Sequence, residues 1–217
     1  MKKPSLIVFD LDGTLVDSRA DLANAANAAL SILGLPLVPK EKIISFVGDG
    51  IDALIKRCLT EKHIDLFDKA RRYFDDHYGA HLLDNTVLLP EVPETLEMMR
   101  HSSRLAVLTN KSERYAREIL KGLGVASFFN YIVGEQGGKV PKPDPGALRS
   151  LIKRSNITPG QALMVGDGRN DILVSRKAGC KSCAVADSGE KERQLVPYEP
   201  DFIIHKMGEL PGLFDEV

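Results

Sequence analysis

Two aspartates, Asp10 and Asp12, follow directly on the apolar run Leu6-Ile7-Val8-Phe9 in the stretch LIVFDLDGTLVDS. A buried strand needs only one turn residue to end it. Two acids at i and i+2 bring two negative charges close together, which is costly unless a cation or a shared proton compensates. Other apolar runs stop in the same manner. Leu105–Leu108 runs into Thr109-Asn110, and Leu163–Val165 runs into Gly166-Asp167, with Asp171 four residues on. Lys142 stands in a loop-like stretch, KVPKPDPGAL. In open α/β sheets ligands bind at the carboxyl ends of the strands, so four carboxylates, a hydroxyl and a lysine can converge there. Clustered carboxylates without partnering Cys or His suit a hard cation with oxygen ligands, Mg²⁺ by default. Asp10 and Asp167 would supply its carboxylate oxygens. Such a metal, with Lys142, would neutralise the non-bridging oxygens of a phosphoryl group, and Thr109 would donate its hydroxyl. An aspartate on the metal can attack phosphorus as a covalent nucleophile. A second carboxyl two residues on can protonate the leaving oxygen and later activate water.

The elements that must position these residues follow from the spacing of apolar side chains. The three runs above, and weaker ones at Tyr131–Val133, Cys183–Ala186 and Phe202–Ile204, are short and β-branched, as buried parallel strands are. Helical stretches lie between them: Pro93–Arg100, Ser112–Lys121, Asp144–Arg154 and Arg169–Ala178, the last closed by Gly179. Such alternation predicts an α/β fold, a doubly wound parallel-sheet (Rossmann-like) core. One region does not alternate. Between Leu15 and Leu83 no convincing strand is visible, and residues 40–89 contain no proline. Ser18-x-x-Asp21 reads as a capping box before a helix carrying Leu22, Ala26, Ala29, Leu30 and Leu33, which Gly34 ends. Ile51, Leu54, Ile55 and Cys58 mark a second helix, and Ile64, Phe67, Ala70, Phe74 and Tyr78 a third. The expected organisation is therefore a catalytic core of residues 1–14 and 84–217 with an inserted all-helical cap domain at 15–83, in the position of a lid.

Composition narrows the function. The chain has 217 residues, 43% of them hydrophobic, enough for a real core. A net charge of -1 leaves no basic stripe for nucleic acid and nothing that marks a membrane surface. The opening MKKPSLIVF carries only four apolar residues before Asp10, too few for a secretory signal core. The expected location is the cytoplasm. Cys180-Lys-Ser-Cys183 has the spacing of a redox pair or half a zinc site, but no second Cys/His pair matches it, so two half-buried residues between a helix and a strand are the preferred reading. His77 and His81 have helical metal-pair spacing without an acid after His77, and Tyr78-Gly79 suits a helix end better. The stretch GEQGGKV lacks the spacing and the Ser/Thr of a phosphate-binding glycine loop, and its Lys139 is the rival of Lys142.

Taken together the motifs resemble the haloacid-dehalogenase-like superfamily of phosphohydrolases. Asp10-Leu-Asp12-Gly-Thr14, Leu108-Thr109-Asn110, Lys142-Pro-Asp-Pro145 and Gly166-Asp167-Gly-Arg-Asn-Asp171 stand in that family's order. The stretches FDLDGTLVDS, FVGDGIDALI, LTNK and GDGRNDILVSRKAGC are similar to its phosphoglycolate phosphatase group. The resemblance implies Asp10 as nucleophile through an aspartyl phosphate. It implies Asp12 as general acid/base whose backbone carbonyl also meets Mg²⁺. Thr109, Asn110 and Lys142 would hold the phosphoryl group, Asp167 would be a metal ligand, and Asp171 would support the metal's water shell. Gly168 departs from the Ser or Thr that many relatives carry. An acid at Asp12 disfavours halide displacement. The implied activity is Mg²⁺-dependent hydrolysis of a small phosphomonoester, phosphoglycolate-like. A sugar-phosphate mutase on the same core and a non-catalytic phosphate-holding signalling protein are the alternatives. With nine Lys/Arg and ten Asp/Glu, residues 15–83 are close to neutral and exert no strong pull toward highly anionic substrates. Within them Gly48-Asp49-Gly50 could reach the site, and Lys56 or Arg57 could meet a substrate carboxylate.

Overall fold

The computed structural model describes residues 3–136 and 140–214, so Lys139 and the two glycines before it in the GEQGGKV stretch lie outside the described residues. The chain divides into two units, Met1–Val16 with Leu88–Val217, and Asp17–Val87.

In the first unit, strand β1 (Leu6–Phe9) is buried on every residue, because it runs through the middle of the sheet with helices covering both faces. Two short segments, β2 (Val16–Asp17) and β3 (Val87–Leu88), pair with each other where the chain leaves and re-enters this unit. The remaining strands are β4 (Arg104–Ser112), β5 (Tyr131–Glu135), β6 (Ala162–Gly166), β7 (Lys181–Val185) and β8 (Phe202–Ile204). The sheet order is β5-β4-β1-β6-β7-β8, and all of its pairings are parallel. The chain builds outward from β1 to one edge, then returns to build the other. The strand order therefore reverses beside β1, the place where such sheets open a crevice at their carboxyl ends. One apolar layer joins Leu6, Val8, Ala106, Leu108 and Met164 to Leu148, Leu151 and Val174 on the covering helices.

The second unit is helical: α1 (Arg19–Ile32), α2 (Lys40–Ile44), α3 (Ile51–Leu59) and α4 (Phe67–Ala80). Helix α3 buries Ile51, Leu54, Ile55, Cys58 and Leu59, and α4 buries Ala70, Phe74 and Tyr78, the stripes that their periodicity predicts. Ile64 is 46% exposed in a 3₁₀ segment before α4 and is not part of that stripe. The predicted capping box at the start of α1 does not form. Ser18 makes no side-chain cap, and Asp21 turns instead to residues 64 and 65 positions away. Its carboxylate accepts from Asn85 N–H (3.0 Å), Asn85 Nδ2 (2.7 Å), Thr86 N–H (2.8 Å) and Thr86 Oγ1 (2.8 Å). Four donors satisfy a buried acid better than one local cap can.

The helices of the first unit are α5 (Val92–Arg100), α6 (Glu113–Gly122), α7 (Gly146–Arg154), α8 (Arg169–Ala178) and α9 (Gly189–Leu195). Helices α2 and α9, five and seven residues long, were not readable from periodicity, which needs more than two turns to declare itself.

Candidate active site

Asp10 comes immediately after β1. Its N–H donates to Val165 O at 2.8 Å, which ties it to β6. Its Oδ1 accepts from Leu11 N–H at 2.7 Å and lies 2.9 Å from Lys142 Nζ. The chain then turns tightly through Gly13, whose φ of +80° only glycine adopts without strain. That turn brings Asp12 into a bridge with Val16. A Cβ on Gly13 would lie 2.5 Å from Asp167 Oδ2, so the absent side chain also makes room for that carboxylate.

Asp167 follows β6, and Asp171 lies in the first turn of α8. Asp171 accepts from Gly168 N–H at 3.0 Å through Oδ2 and from Lys142 Nζ at 2.7 Å through Oδ1. A Cβ on Gly166 would approach the Asp171 carboxyl carbon to 2.2 Å. Asp10, Asp167 and Asp171 bring one carboxylate oxygen each to within 4.8 Å of one another. Among the described residues this is the one group of three or more possible metal ligands that meets so closely.

Thr109 and Asn110 occupy the distal part of β4, where pairing with β5 shifts register between Leu108 and Ser112. Such irregularities re-aim side chains. Both residues are buried. Thr109 Oγ1 accepts from Lys111 N–H at 3.1 Å, and its own hydroxyl hydrogen stays available for another acceptor. Asn110 meets the backbone of Lys142 with both ends of its amide: Oδ1 accepts from Lys142 N–H at 2.7 Å, and Nδ2 donates to Lys142 O at 3.2 Å. Asn110 thus aims the lysine.

Two lysines in the site did not emerge from sequence reasoning. Lys111 Nζ lies 2.8 and 3.0 Å from the two carboxylate oxygens of Asp12. Period-two alternation on a strand, which puts residues 109 and 111 on one side, would have found it. Lys191, on α9, reaches Asp167 Oδ2 at 2.9 Å. Its surroundings in the sequence, GEKERQ, read as an ordinary charged surface helix and carry no signal.

The electrostatics show a surplus of acid. Burial works against the Lys142 ammonium, but Asp10 and Asp171 outweigh it and hold the lysine pKa well above its usual value. Burial pushes the Asp171 carboxyl up, to about 7, with Lys142 opposing and Asp10 adding to the rise. Burial also raises Asp167, opposed by Lys191 and reinforced by Asp10. One buried ammonium cannot satisfy all the acids around it, so it stays charged while Asp167 and Asp171 are pushed toward neutrality. All-oxygen donors, crowded and short of positive charge, fit a hard divalent cation.

The other candidates lie elsewhere. Cys58, Cys180 and Cys183 are all buried free thiols, and burial pushes the latter two up to about 12, far from a reactive thiolate. The His77 and His81 rings stack at 4.4 Å, and His81 Nδ1 pairs with Asp84. Arg57 is engaged inside the helical unit, by Asp49 Oδ2 at 2.6 Å and Phe46 O at 3.1 Å. Among the described residues no helix is long and apolar enough to cross a membrane.

A crevice of this kind, with acids and a lysine at the carboxyl ends of the central strands, places the chain among α/β enzymes. The sequence profile described as haloacid dehalogenase-like hydrolase matches residues 7–185, and the chain belongs to that family of hydrolases. A phosphoglycolate phosphatase of Chromobacterium violaceum is 42% identical over 193 residues, 85% of this chain and 86% of that one. Another, of Vibrio parahaemolyticus, is 38% identical over 213 residues, 94% and 93% of the two chains. Among solved structures, a predicted phosphoglycolate phosphatase of Haemophilus somnus superposes with a TM-score of 0.88 at 31% identity, covering 98% of this chain and 99% of that one.

Proposed function

We propose that this protein is a Mg²⁺-dependent phosphatase that hydrolyses a small phosphomonoester, phosphoglycolate-like, through an aspartyl phosphate on Asp10. The observation that carries this reading is the meeting of Asp10, Asp167 and Asp171 within 4.8 Å around the buried Lys142. The relatives named phosphoglycolate phosphatase support the substrate class. Asp10 and Asp167, with the backbone carbonyl of Asp12, would hold Mg²⁺, which when bound supplies charge to the non-bridging phosphoryl oxygens; Asp171 would support its water shell.

The residues of the chain supply the rest. Leu11 N–H and Lys142 hold Asp10 by Oδ1, which leaves Oδ2 to attack phosphorus. A bond forms from Asp10 to phosphorus, the ester P–O bond breaks, and Asp12 delivers a proton to the departing alcohol oxygen. Asp12 then takes a proton from water. The resulting hydroxide attacks phosphorus, the Asp10–phosphorus bond breaks, and the Asp10 carboxylate and inorganic phosphate are regenerated. Thr109 and Lys142 donate to the phosphoryl oxygens throughout, Asn110 keeps Lys142 aimed, and Lys111 steadies Asp12. The helical unit would serve as a cap that selects the substrate.

The test is phosphate release with Mg²⁺ from a panel of small phosphomonoesters, phosphoglycolate included, by the native chain and by Asp10→Asn. Release that is lost with Asp10→Asn is expected, with phosphoglycolate ranking high. No release from any ester by a native chain that binds Mg²⁺ would overturn the reading.

A further inference from the structure

Of the lysines in the site, Lys191 differs from the others in where it comes from and in how it is held. Lys142 has a side chain 3% exposed and is shared by Asp10 and Asp171; Lys111 has one 2% exposed, against Asp12. Neither can withdraw without stranding buried charge. Lys191 reaches in from α9, its side chain is 31% exposed, and its ammonium has one acid partner in the site, Asp167 Oδ2 at 2.9 Å. Ser188 caps the helix that carries it, its Oγ accepting from Lys191 N–H at 3.3 Å, which ties down the backbone at the base of this long, partly exposed side chain.

Lys191 pairs with a carboxylate that a metal in the three-acid cluster would also use. Asp167 is a member of the three-acid cluster, and its Oδ2 is the atom that a Cβ on Gly13, in the turn after β1, would meet first. A divalent ion such as Mg²⁺ binds carboxylate oxygen at about 2.0–2.1 Å. An ammonium at hydrogen-bond distance from the same oxygen competes for its lone pairs and repels the ion. Partly exposed ion pairs are weak, so this one can yield where the buried pairs cannot.

We propose that Lys191 is a tethered competitor for the divalent cation at Asp167, and so sets the metal concentration at which the site fills. This rests on the reading of the site as a Mg²⁺ site. When a metal is taken up, the Nζ–Oδ2 pair breaks and the ammonium moves into solvent.

The test is calorimetric titration of Mg²⁺ into the EDTA-treated, desalted full chain. Lys191→Met should bind Mg²⁺ about three- to tenfold more tightly than the native chain. Lys191→Arg, which keeps the charge, should stay within about twofold of native by the same argument. Thermal unfolding gives an independent readout: in EDTA, Lys191→Met should melt below the native chain, and at saturating Mg²⁺ the gap should close. Unchanged or weaker Mg²⁺ affinity in Lys191→Met, equal tightening in Lys191→Arg, or a melting gap that persists with Mg²⁺ would each overturn the proposal while the metal reading stands. Failure of the native chain itself to bind Mg²⁺ would remove the metal reading and this proposal with it.

Discussion

Asp21 and Asp171 occupy matching positions in the two units. Each is an acid in the first turn of a helix, and they are 2% and 3% exposed. Their surroundings push them in opposite directions. For Asp21, burial alone would raise the pKa, but side-chain and backbone hydrogen bonds from Asn85 and Thr86 bring it below the usual carboxylate value. For Asp171, burial raises it to about 7, Lys142 offsets only part of that rise, and Asp10 and Asp167 add to it. The first is a carboxylate the fold has finished with: neutral dipoles satisfy it, and it joins distant parts of the chain. The second is left with unmet demand for positive charge. Burial alone therefore does not mark a working acid; the identity of its partners does.

That contrast can be attacked directly. The largest effect is expected from Lys142→Met, which removes the ammonium the acids share: phosphate release should fall at least about a hundredfold, measured at saturating substrate, with circular dichroism still native. Exchanging the two acids for amides should separate stability from function. Asp21→Asn turns one of its two acceptor oxygens into a donor facing donors and should cost about 2–3 kcal/mol in denaturant unfolding. Asp171→Asn relieves crowding, and should change stability by less than about 1 kcal/mol while lowering phosphate release. Equal stability losses in the two variants would break the comparison.

Acid titration sharpens it further. The folded-state pKa of Asp21 lies below its unfolded value of roughly 3.9. Its contribution is therefore complete above that pH and is lost as pH falls through the lower folded value. The stability gap between native and Asp21→Asn should accordingly hold from pH 7 down to about 5 and shrink below about 4. The smallest effect concerns the thiols. Buried, with Cys180 and Cys183 raised to about 12, they should react with a thiol reagent only as the chain unfolds, and Cys183→Ala should leave phosphate release unchanged.

Much of the fold was legible because buried parallel strands leave a strong mark: short β-branched runs, each ending in a polar residue. The acids of the site were legible for the same reason, since Asp10 and Asp167 are those endings. Lys142 and Asn110 could be placed near them, but not their mutual grip, because an amide that reads a backbone 32 residues away leaves no pattern in either segment. Ser18-x-x-Asp21 misled because a local rule competed with a distant one, and the four donors at Asn85 and Thr86 won. Lys191 was invisible because its partner is 24 positions away and its own segment looks like surface.

Gly13 and Gly166 bring no functional group to the site, yet they set the spacing of those that do. Even alanine at either position would drive a methyl carbon into a neighbouring carboxylate. In a saturation-mutagenesis library these two positions should be as intolerant as the aspartates themselves, so drift toward a different spacing of the acids is barred at positions where no chemistry takes place.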